Sequence, residues 1–261
     1  MLRHLPFESF SLCVVGLLFY SANLVANQND RATGIVSPLT AFVTQLSHGP
    51  IKDQPFATPG LSLKCFAHKS NDSYIGVKQE QVIAAPLVAV SAILDDFAGY
   101  TNWIDGVIAS KGQDLGSGNW LVTTEQEIPI PFVSNIHTKM LYFTAKEARR
   151  TVYRYQLHES DSMIAYDGLI VLTKIDDRTT SFTEYDFFDA AWGMAKALGW
   201  RAIWKDSLRA IFQSDIALKT KAEHPQTAWK TILDDSNSMA KEQDFTKCIG
   251  NRSPIEECMA N

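Results

Sequence analysis

Two polar side chains in the middle of the chain, Arg154 and Asp167, are candidates to fix the polar head group of a ligand. Both fall within predicted strands, and a mostly apolar pocket needs a few convergent polar atoms to orient the molecule that it binds. The phase of the second strand is ambiguous, because Tyr166 competes with Asp167 for the covered face. The chemistry that these residues offer is recognition of a polar group.

The sequence carries none of the common catalytic or nucleotide-binding signatures. It has no G-x-S-x-G, no H-E-x-x-H, no P-loop and no G-x-G-x-x-G, which are typical of hydrolases, metalloproteases and nucleotide-binding proteins. The polar residues His158, Glu159 and Asp161 lie at a predicted hairpin, where a solvated turn is expected. The sequence therefore indicates no catalytic residue, no metal ligand and no cofactor.

The cysteines follow a pattern that fits an exported protein. Cys13 lies in the N-terminal segment, which would be removed, and Cys248 and Cys258 enclose a short stretch with turn-forming residues. This spacing predicts a disulfide between Cys248 and Cys258 that closes a loop and leaves Cys65 unpaired. The alternative is three free thiols in a reducing compartment. The sequence has no CxxC and no histidine at ligand spacing, so no zinc site is indicated.

Residues 1–26 have the layout of a signal peptide. Arg3 precedes the apolar run from Leu12 to Tyr20, and small and polar residues follow up to Ala26, where we expect cleavage. The apolar run is shorter than the ~20 residues that span a bilayer. We therefore expect a periplasmic or secreted protein, the alternative being a membrane anchor formed by the uncleaved segment.

The overall composition is that of a globular protein. Hydrophobic residues make up 46% of the chain and charged residues 20%, which allows one domain with a sizeable core. The formal net charge is −5 and no basic stripe stands out. Binding to the phosphates of nucleic acid needs clustered Lys and Arg, so nucleic acid is excluded as a partner.

The chain after the signal peptide divides into three parts. Residues 27–73 form an extension, mostly a loop laid over the main domain, because prolines punctuate it. Residues 74–223 form the main domain, in which a helix opened by Pro86 follows the first strand and a proline-free helix runs from Trp200 to Glu223. Residues 224–261 form a tail with a helix near 226–239 and the disulfide loop. The predicted strands begin near residue 74 and then cover 107–113, 120–128, a stretch from about 136, 151–159, 162–175 and 180–189.

Consecutive strands without helices between them predict an antiparallel meander, and the fold class is α+β. A single helix crossing a strongly bent sheet cannot fill the space beneath it, so a cavity is expected, the alternative being a core filled solidly by its aromatic rings. In the last strand Tyr185 and Phe187 are expected on the covered face, opposite Glu184 and Asp186 on the wet face. The predicted pocket residues are Trp103, Trp120, Tyr142, Tyr153, Tyr155, Tyr185, Phe187, Trp200, Trp204, Leu208 and Phe212.

The segment from Val82 to Val107 resembles the START-like superfamily, which includes polyketide cyclase-like, coenzyme Q-binding and lipid-transfer proteins. The family motif L-D-x-x-x-Y-x-x-W is represented by Leu94, Asp95 or Asp96, Tyr100 and Trp103. The segment IPIPFVSNIHTKM is also similar to the proline-broken strand pair of the family. The family usually carries an arginine where this chain has His137 or Lys139.

The resemblance implies a helix-grip fold, in which a curved sheet wraps around the long C-terminal helix and encloses a pocket. The expected function is binding or transfer of a lipid or other hydrophobic small molecule, with transient contact to a membrane. The alternatives are a cyclase- or dehydratase-type enzyme that uses the same pocket, and a protein-interaction module with a vestigial pocket. No catalytic residue is carried over from the family, since fold alone does not decide activity.

Overall fold

The computed structural model describes residues 60–68, 71–127, 135–161, 163–190 and 199–255. These residues form one α+β fold, in which a nine-stranded sheet is covered on one face by helices. The strands are β1 (Ser62–His68), β2 (Asn71–Ile83), β3 (Val107–Gly116), β4 (Asn119–Gln126), β5 (Ile136–Lys146), β6 (Arg150–Ser160), β7 (Met163–Asp176), β8 (Thr179–Ala190) and β9 (Ser253–Pro254). The helices are α1 (Leu87–Asp95), α2 (Tyr100–Trp103), α3 (Trp200–Glu223), α4 (Trp229–Glu242) and α5 (Thr246–Gly250).

The sheet has the strand order β3-β4-β5-β6-β7-β8-β2-β1-β9. Strands β3 to β8 pair antiparallel in sequence order, which confirms the predicted meander. Strand β2 pairs antiparallel with β8 and so places the start of the domain beside its last long strand. The short pairing of β1 with β9 is parallel and brings the C-terminal segment to the edge of the sheet.

Strand β1 lies in the extension for which the sequence predicted a loop, and that prediction is wrong for residues 62–68. Cys65 and Phe66 are both buried, one against the inner face of the sheet and the other against the outer face. A strand buried on both faces shows no alternation of apolar and polar residues, so its period cannot be read from the sequence. The signal peptide predicted for residues 1–26 and the rest of the predicted extension up to residue 59 lie outside the described residues.

The segment after β2 turns through two short helices before it enters β3. Helix α1 begins directly after Pro86 and buries Val90, Ser91 and Leu94. The side chain of Asp96 then accepts a hydrogen bond of 3.0 Å from the backbone N–H of Gly99 and stabilises one 3-10 turn. The Tyr100 hydroxyl donates a 3.1 Å hydrogen bond back to the carbonyl of Leu94. The motif residues of the sequence thus fix the turn that places Trp103.

Helix α3 has the bounds that the sequence predicted and crosses the inner face of the sheet. It follows Gly199, whose φ of 81° lies in the left-handed region that glycine adopts readily. The side-chain amide of Gln213 donates to the carbonyl of Trp103 at 3.3 Å and to the hydroxyl of Ser236 at 3.1 Å. These bonds join α3 to α2 on one side and to α4 on the other.

A disulfide joins Cys65 on β1 to Cys248 on α5, with Cα atoms 5.4 Å apart. The predicted Cys248–Cys258 bond is therefore wrong, and Cys258 lies outside the described residues. Cys248 packs in the same buried cluster as Cys65, together with Trp204 and Phe245. Tertiary packing brings together two cysteines that are 183 positions apart, so a sequence argument that favours short loops could not find the pair.

Candidate functional site

A cavity of about 290 Å³ lies between α3 and the inner face of the sheet. Its volume is near the lower end of the range for small-molecule pockets, roughly 300–1,000 Å³. Helix α3 contributes the small side chains of Ser207, Ala210 and Ser214 to the wall, together with Ile211, Asp215 and Leu218. The aromatic side chains of the wall are Tyr100, Trp103, Tyr142, Tyr155, Tyr166, Phe182 and Phe188.

Three acidic residues of the cavity wall, Glu184 and Asp186 on β8 and Asp215 on α3, form what we call the carboxyl cluster. Asp186 is 1% exposed and Asp215 is 3% exposed. Glu184 and Asp215 lie close enough to interact, and a hydrogen bond between them would need a proton on one of the two carboxyl groups. Among the described residues that line the cavity, none is a lysine, an arginine or a histidine.

Two tyrosine hydroxyls contact the carboxyl cluster. The Tyr155 hydroxyl lies 2.6 Å from Oδ1 of Asp186 and 3.1 Å from Oε1 of Glu184. The Tyr166 hydroxyl donates to the same Oδ1 of Asp186 at 2.9 Å. A tyrosine hydroxyl has a single proton, so its two contacts differ in strength. Tyr155 donates mainly to Asp186, at the shorter distance, and more weakly to Glu184.

Gly168 explains how Tyr155 reaches the cluster. Tyr155, Gly168 and Asp186 lie side by side on β6, β7 and β8, with Gly168 in the middle. A Cβ atom at Gly168 would lie 2.0 Å from Cε2 of Tyr155, so the ring lies directly over the glycine backbone. Glycine inside a strand marks such close approaches. The missing side chain lets the Tyr155 hydroxyl pass over β7 and meet Asp186.

Burial raises the pKa of all three carboxyl groups of the cluster. It raises the pKa of Glu184 well above its usual range, and repulsion from Asp186 and Asp215 raises it further. Burial also raises the pKa of Asp215 well above its usual range. Burial raises the pKa of Asp186 only to about 6, because hydrogen bonds from Tyr155 and Tyr166 favour its charged form. Near neutral pH the negative charge of the empty cluster is thus found mainly on Asp186.

Several polar atoms around the cluster have no hydrogen-bond partner in the described part of the chain. Oδ2 of Asp215 and Nε1 of Trp103 are such atoms, and both residues line the cavity. Both amide atoms of Gln79 are also unpartnered, and Gln79 lies directly across from Glu184 on the neighbouring strand. Buried polar atoms in proteins almost always have partners, so this end of the cavity has unused capacity for hydrogen bonds.

The predicted pocket residues divide into those that line the cavity and those that do not. Trp103, Tyr142 and Tyr155 line it. Trp120 and Tyr153 belong to the same core region but lie outside the cavity wall. The Trp120 ring packs against Phe97 with centroids 5.2 Å apart. The Tyr153 hydroxyl donates toward the Ser91 carbonyl at 3.2 Å and Asp95 at 3.0 Å, so it fixes α1 on the sheet.

Strand β8 has the opposite phase to the one predicted, so the prediction for its two faces is wrong. Tyr185 and Phe187 lie on the outer face with Phe66, while Glu184 and Asp186 face the cavity. Phe182 and Phe188 line the cavity from the same strand. Because β8 carries aromatic residues on both faces, its pattern does not show which face is covered, and the rule that acids face water selects the wrong one.

Helix α3 requires a similar correction, because the large apolar residues Trp204, Leu208 and Phe212 do not line the cavity. They pack with Ile75 and Val77 of β2 and with residues of α4 and α5. Because α3 is covered on two sides, its strongest apolar stripe marks the side that packs against the rest of the fold, and not the side that lines the pocket. The side chain of Trp200 lies outside the described part of the structure.

The two polar candidates of the sequence, Arg154 and Asp167, lie on the outer face of the sheet. Arg154 stacks over the ring of Phe143 at 5.5 Å. Asp167 raises the pKa of Tyr74, a residue of the outer cluster. Neither residue lines the cavity, and Tyr166 takes the inner position on β7. The sequence carried one signal that would have found the site, namely Gly168 in the middle of a strand.

The described residues show neither a metal site nor a helix that could span a membrane. No three His, Cys, Asp or Glu side chains converge there in the way that a metal site requires. No helix in this part of the chain is both long and apolar enough to cross a membrane.

No protein-family model matches the sequence, and no curated protein matches it. Human STARD10 superposes with a TM-score of 0.50 at 13% identity, over 70% of this chain and 80% of STARD10. A STAR-related lipid transfer protein from Xanthomonas axonopodis has a TM-score of 0.44 at 14% identity, over 69% and 95% of the two chains. The Zhui aromatase/cyclase from Streptomyces sp. R1128 has a TM-score of 0.39 at 16% identity, over 64% and 94%.

At these identities the comparison concerns the fold alone. STARD10 shares the fold over most of its own length, and the described residues have the curved sheet and long covering helix that the sequence predicted. The described part of this chain therefore adopts the helix-grip fold that it shares with STARD10, which confirms the fold predicted from the sequence.

Proposed function

We propose that this protein binds a hydrophobic small molecule in the cavity between the sheet and α3. The observation that carries the proposal is the cavity itself, a space of about 290 Å³ with mostly aromatic and aliphatic walls. Burial of apolar surface contributes about 25 cal/mol per Å², so several hundred Å² of contact give useful affinity without any charged anchor. The volume suits a small molecule or one chain of a lipid. A protein-interaction module with a solid core would not need such a space.

The proposal includes export from the cytoplasm. The N-terminal segment with Arg3 and the apolar run from Leu12 to Tyr20 supports it. The Cys65–Cys248 disulfide also supports it, because disulfides persist mainly in oxidising compartments. Detection of the mature protein in periplasmic or secreted material, with cleavage near Ala26, is the test. A full-length chain that stays in the membrane would favour the anchor instead.

The ligand would enter past the segment from Gly99 to Gly106. This segment consists of short turns and α2, and it contributes Tyr100, Trp103 and Ile104 to the cavity wall. Short elements of this kind open at lower free-energy cost than long strands. The loop from Pro129 to Val133, a second candidate opening, lies outside the described residues.

Native mass spectrometry of protein purified from its own host tests the binding function. We expect a co-purifying small molecule that is lost when Ala210→Trp places an indole in the cavity. Ala202→Trp adds the same ring at an exposed position of α3 and is the matched control, which should keep the molecule. Circular dichroism checks that both variants are folded. An empty native protein that also fails to take up hydrophobic probes would contradict the proposal.

A second candidate function is acid–base catalysis in the same cavity, and the carboxyl cluster favours it. Asp186, with a pKa of about 6 and a hydrogen bond from Tyr155, is suited to accept a proton near neutral pH. Incubation of the protein with host metabolite extract, followed by mass spectrometry, distinguishes the two functions. An enzyme would convert a component of the extract, and the Asp186→Asn variant would lose this activity. A binding protein would bind a component of the extract without converting it.

A further inference from the structure

The carboxyl cluster gives the cavity a definite electrostatic character. Glu184, Asp186 and Asp215 all line the wall, and the described lining includes no basic side chain that would neutralise them. A carboxylate or phosphate of a ligand would be repelled at this end of the cavity. A positively charged group would be attracted, because it favours the charged form of the three carboxyl groups, whose pKa burial has raised.

An unpartnered acceptor on the cavity wall also favours a positively charged group, by an argument that does not depend on the charge of the cluster. Oδ2 of Asp215 is an acceptor without a partner among the described residues, on a side chain that is 3% exposed and lines the cavity. Gln79, across from Glu184, has an unpartnered acceptor and an unpartnered donor but does not line the cavity. An ammonium group has up to three donors and no acceptor, so it matches the unused oxygen of Asp215.

The aromatic rings beside the cluster suit a cation as well. Tyr142 stacks on Tyr155 with ring centroids 5.2 Å apart, and Tyr166 meets Tyr155 edge-on at 5.7 Å. All three rings line the cavity. The faces of tyrosine rings attract cations through their quadrupole, and this attraction is stronger when water is excluded.

We propose that the ligand of this cavity is a lipophilic amine, whose ammonium group binds among Glu184, Asp186 and Asp215 while its apolar part fills the aromatic remainder. The proposal rests on the binding function and adds the chemical class of the ligand. The ammonium group would donate to Oδ2 of Asp215 and to the free lone pairs of the other two carboxyl groups. Glu184 and Asp215, whose raised pKa values favour the protonated form, would then release a proton.

This arrangement makes binding dependent on pH. The titratable groups that face the cluster are Tyr142 from β5, Tyr155 from β6 and Tyr166 from β7, and burial raises the pKa of each further, so they stay neutral. Only the cluster itself changes charge between about pH 5 and 8, since an alkylamine stays protonated up to a pKa of about 10. Affinity for the amine should therefore rise with pH over this interval.

Isothermal titration with octylamine, octanol and octanoate tests the proposal, because the three probes share one chain length and differ in head group. At about pH 7.5 we expect octylamine to bind roughly tenfold or more tightly than octanol, since hydrogen bonds to charged groups are worth that much. Octanoate should bind most weakly. The triple variant Glu184→Gln/Asp186→Asn/Asp215→Asn should keep octanol binding and lose the preference for the amine.

Asp206→Asn is the matched control, because it removes a carboxyl group of α3 that does not line the cavity. It should keep the preference for octylamine. Thermal melts establish that the variants are folded, and the rise of octylamine affinity with pH in the unmodified protein tests the proposal without any variant.

Equal binding of octylamine and octanol by the unmodified protein would overturn the amine assignment and leave the binding function standing. A preference for octylamine that persists in the triple variant, or an affinity that stays flat with pH, would also overturn it. If none of the three probes binds, the binding function fails as well.

Discussion

Gly168 determines whether Tyr155 reaches the carboxyl cluster. A Cβ atom at this position would lie 2.0 Å from the Tyr155 ring, so Gly168→Ala must displace the ring and its hydrogen bonds to the acids. Overpacking of this kind costs roughly 1–3 kcal/mol. We expect a lower free energy of unfolding and weaker ligand binding, measured by urea denaturation and titration. Gly250→Ala, where a Cβ has no neighbour within 4 Å, is the control and should change neither.

The carboxyl cluster should give the ligand-free protein an unusual pH dependence. The folded-state pKa of Asp186 is raised from 3.8 to about 6, so the stabilisation from its protonated form is complete below the unfolded pKa and is lost as pH rises through about 6. The pKa shift corresponds to about 3 kcal/mol at most. The melting temperature should therefore fall between about pH 5 and pH 7.

The triple variant Glu184→Gln/Asp186→Asn/Asp215→Asn should reduce this slope. A residual slope is expected, because burial also raises the pKa of Asp206 to about 6. Asp177→Asn, at an exposed hairpin position, should leave the slope as it is. A melting temperature that rises over the same interval in the unmodified protein would show that the acids are charged in the folded state.

At the residue scale the sequence predicted only part of the site. Trp103 followed from the family motif, and Tyr142 and Tyr155 followed from alternation in strands with one polar face. Glu184, Asp186 and Asp215 did not follow, because buried acids are rare and pattern rules place them in water. Their position depends on Tyr155, Tyr166 and Gly168, which only the pairing of three strands brings together.

At the scale of elements, one side of α3 anchors the helix to the rest of the fold, and the other side encloses the cavity. Leu208 is buried among the residues of β1, β2 and α5, away from the cavity. Leu208→Ala should therefore lower the free energy of unfolding by about 2–5 kcal/mol through the cavity that it creates. Ligand affinity of the folded fraction should hardly change, because the wall of the pocket is intact.

Chemical denaturation and titration at low temperature check this separation of the two sides. Lys205→Ala, at an exposed position of the same helix, should leave both quantities unchanged. A large loss of affinity in Leu208→Ala would show that the anchor side and the cavity side are coupled.

The bounds of α3 could be predicted from the sequence, and its orientation could not. The stretch from Trp200 to Glu223 contains no proline or glycine, and Gly199 precedes it. The side facing the cavity combines small residues such as Ala210 and Ser214 with Ile211 and Leu218. An apolar stripe identifies the best-packed side of a helix, whereas a pocket requires the opposite, namely side chains that leave space.

At the scale of the whole molecule, the disulfide closes a loop across almost the entire described chain. Cys65 and Cys248 are 183 positions apart, and a loop of that length is worth about 5 kcal/mol at most on the chain-entropy estimate. Cys248→Ser, or addition of a reductant, should lower the melting temperature of the whole domain. Cys258→Ser is the control and should have no such effect. A destabilisation by Cys258→Ser equal to that by Cys248→Ser would contradict the Cys65–Cys248 pairing.

The meander from β3 to β8 could be predicted from the sequence, because each of its strands pairs with its neighbour in the chain. The pairings of β1 with β9 and of Cys65 with Cys248 could not. They join segments that are distant in sequence, and local patterns carry no information about such contacts. Both pairings attach the C-terminal segment to the same edge of the sheet.

Burial raises the pKa of both Glu184 and Asp215, which favours a proton in the place where the proposed ammonium group would bind. Uptake of an amine would then expel this proton into the solvent, so the cavity would act as an exchanger of hydrogen ions for cargo. Calorimetry in buffers with different ionisation enthalpies counts the protons released for each molecule bound. A count near zero would mean that the proton stays in place. A count near one would mean that lowering the pH is enough to release the bound amine from the protein.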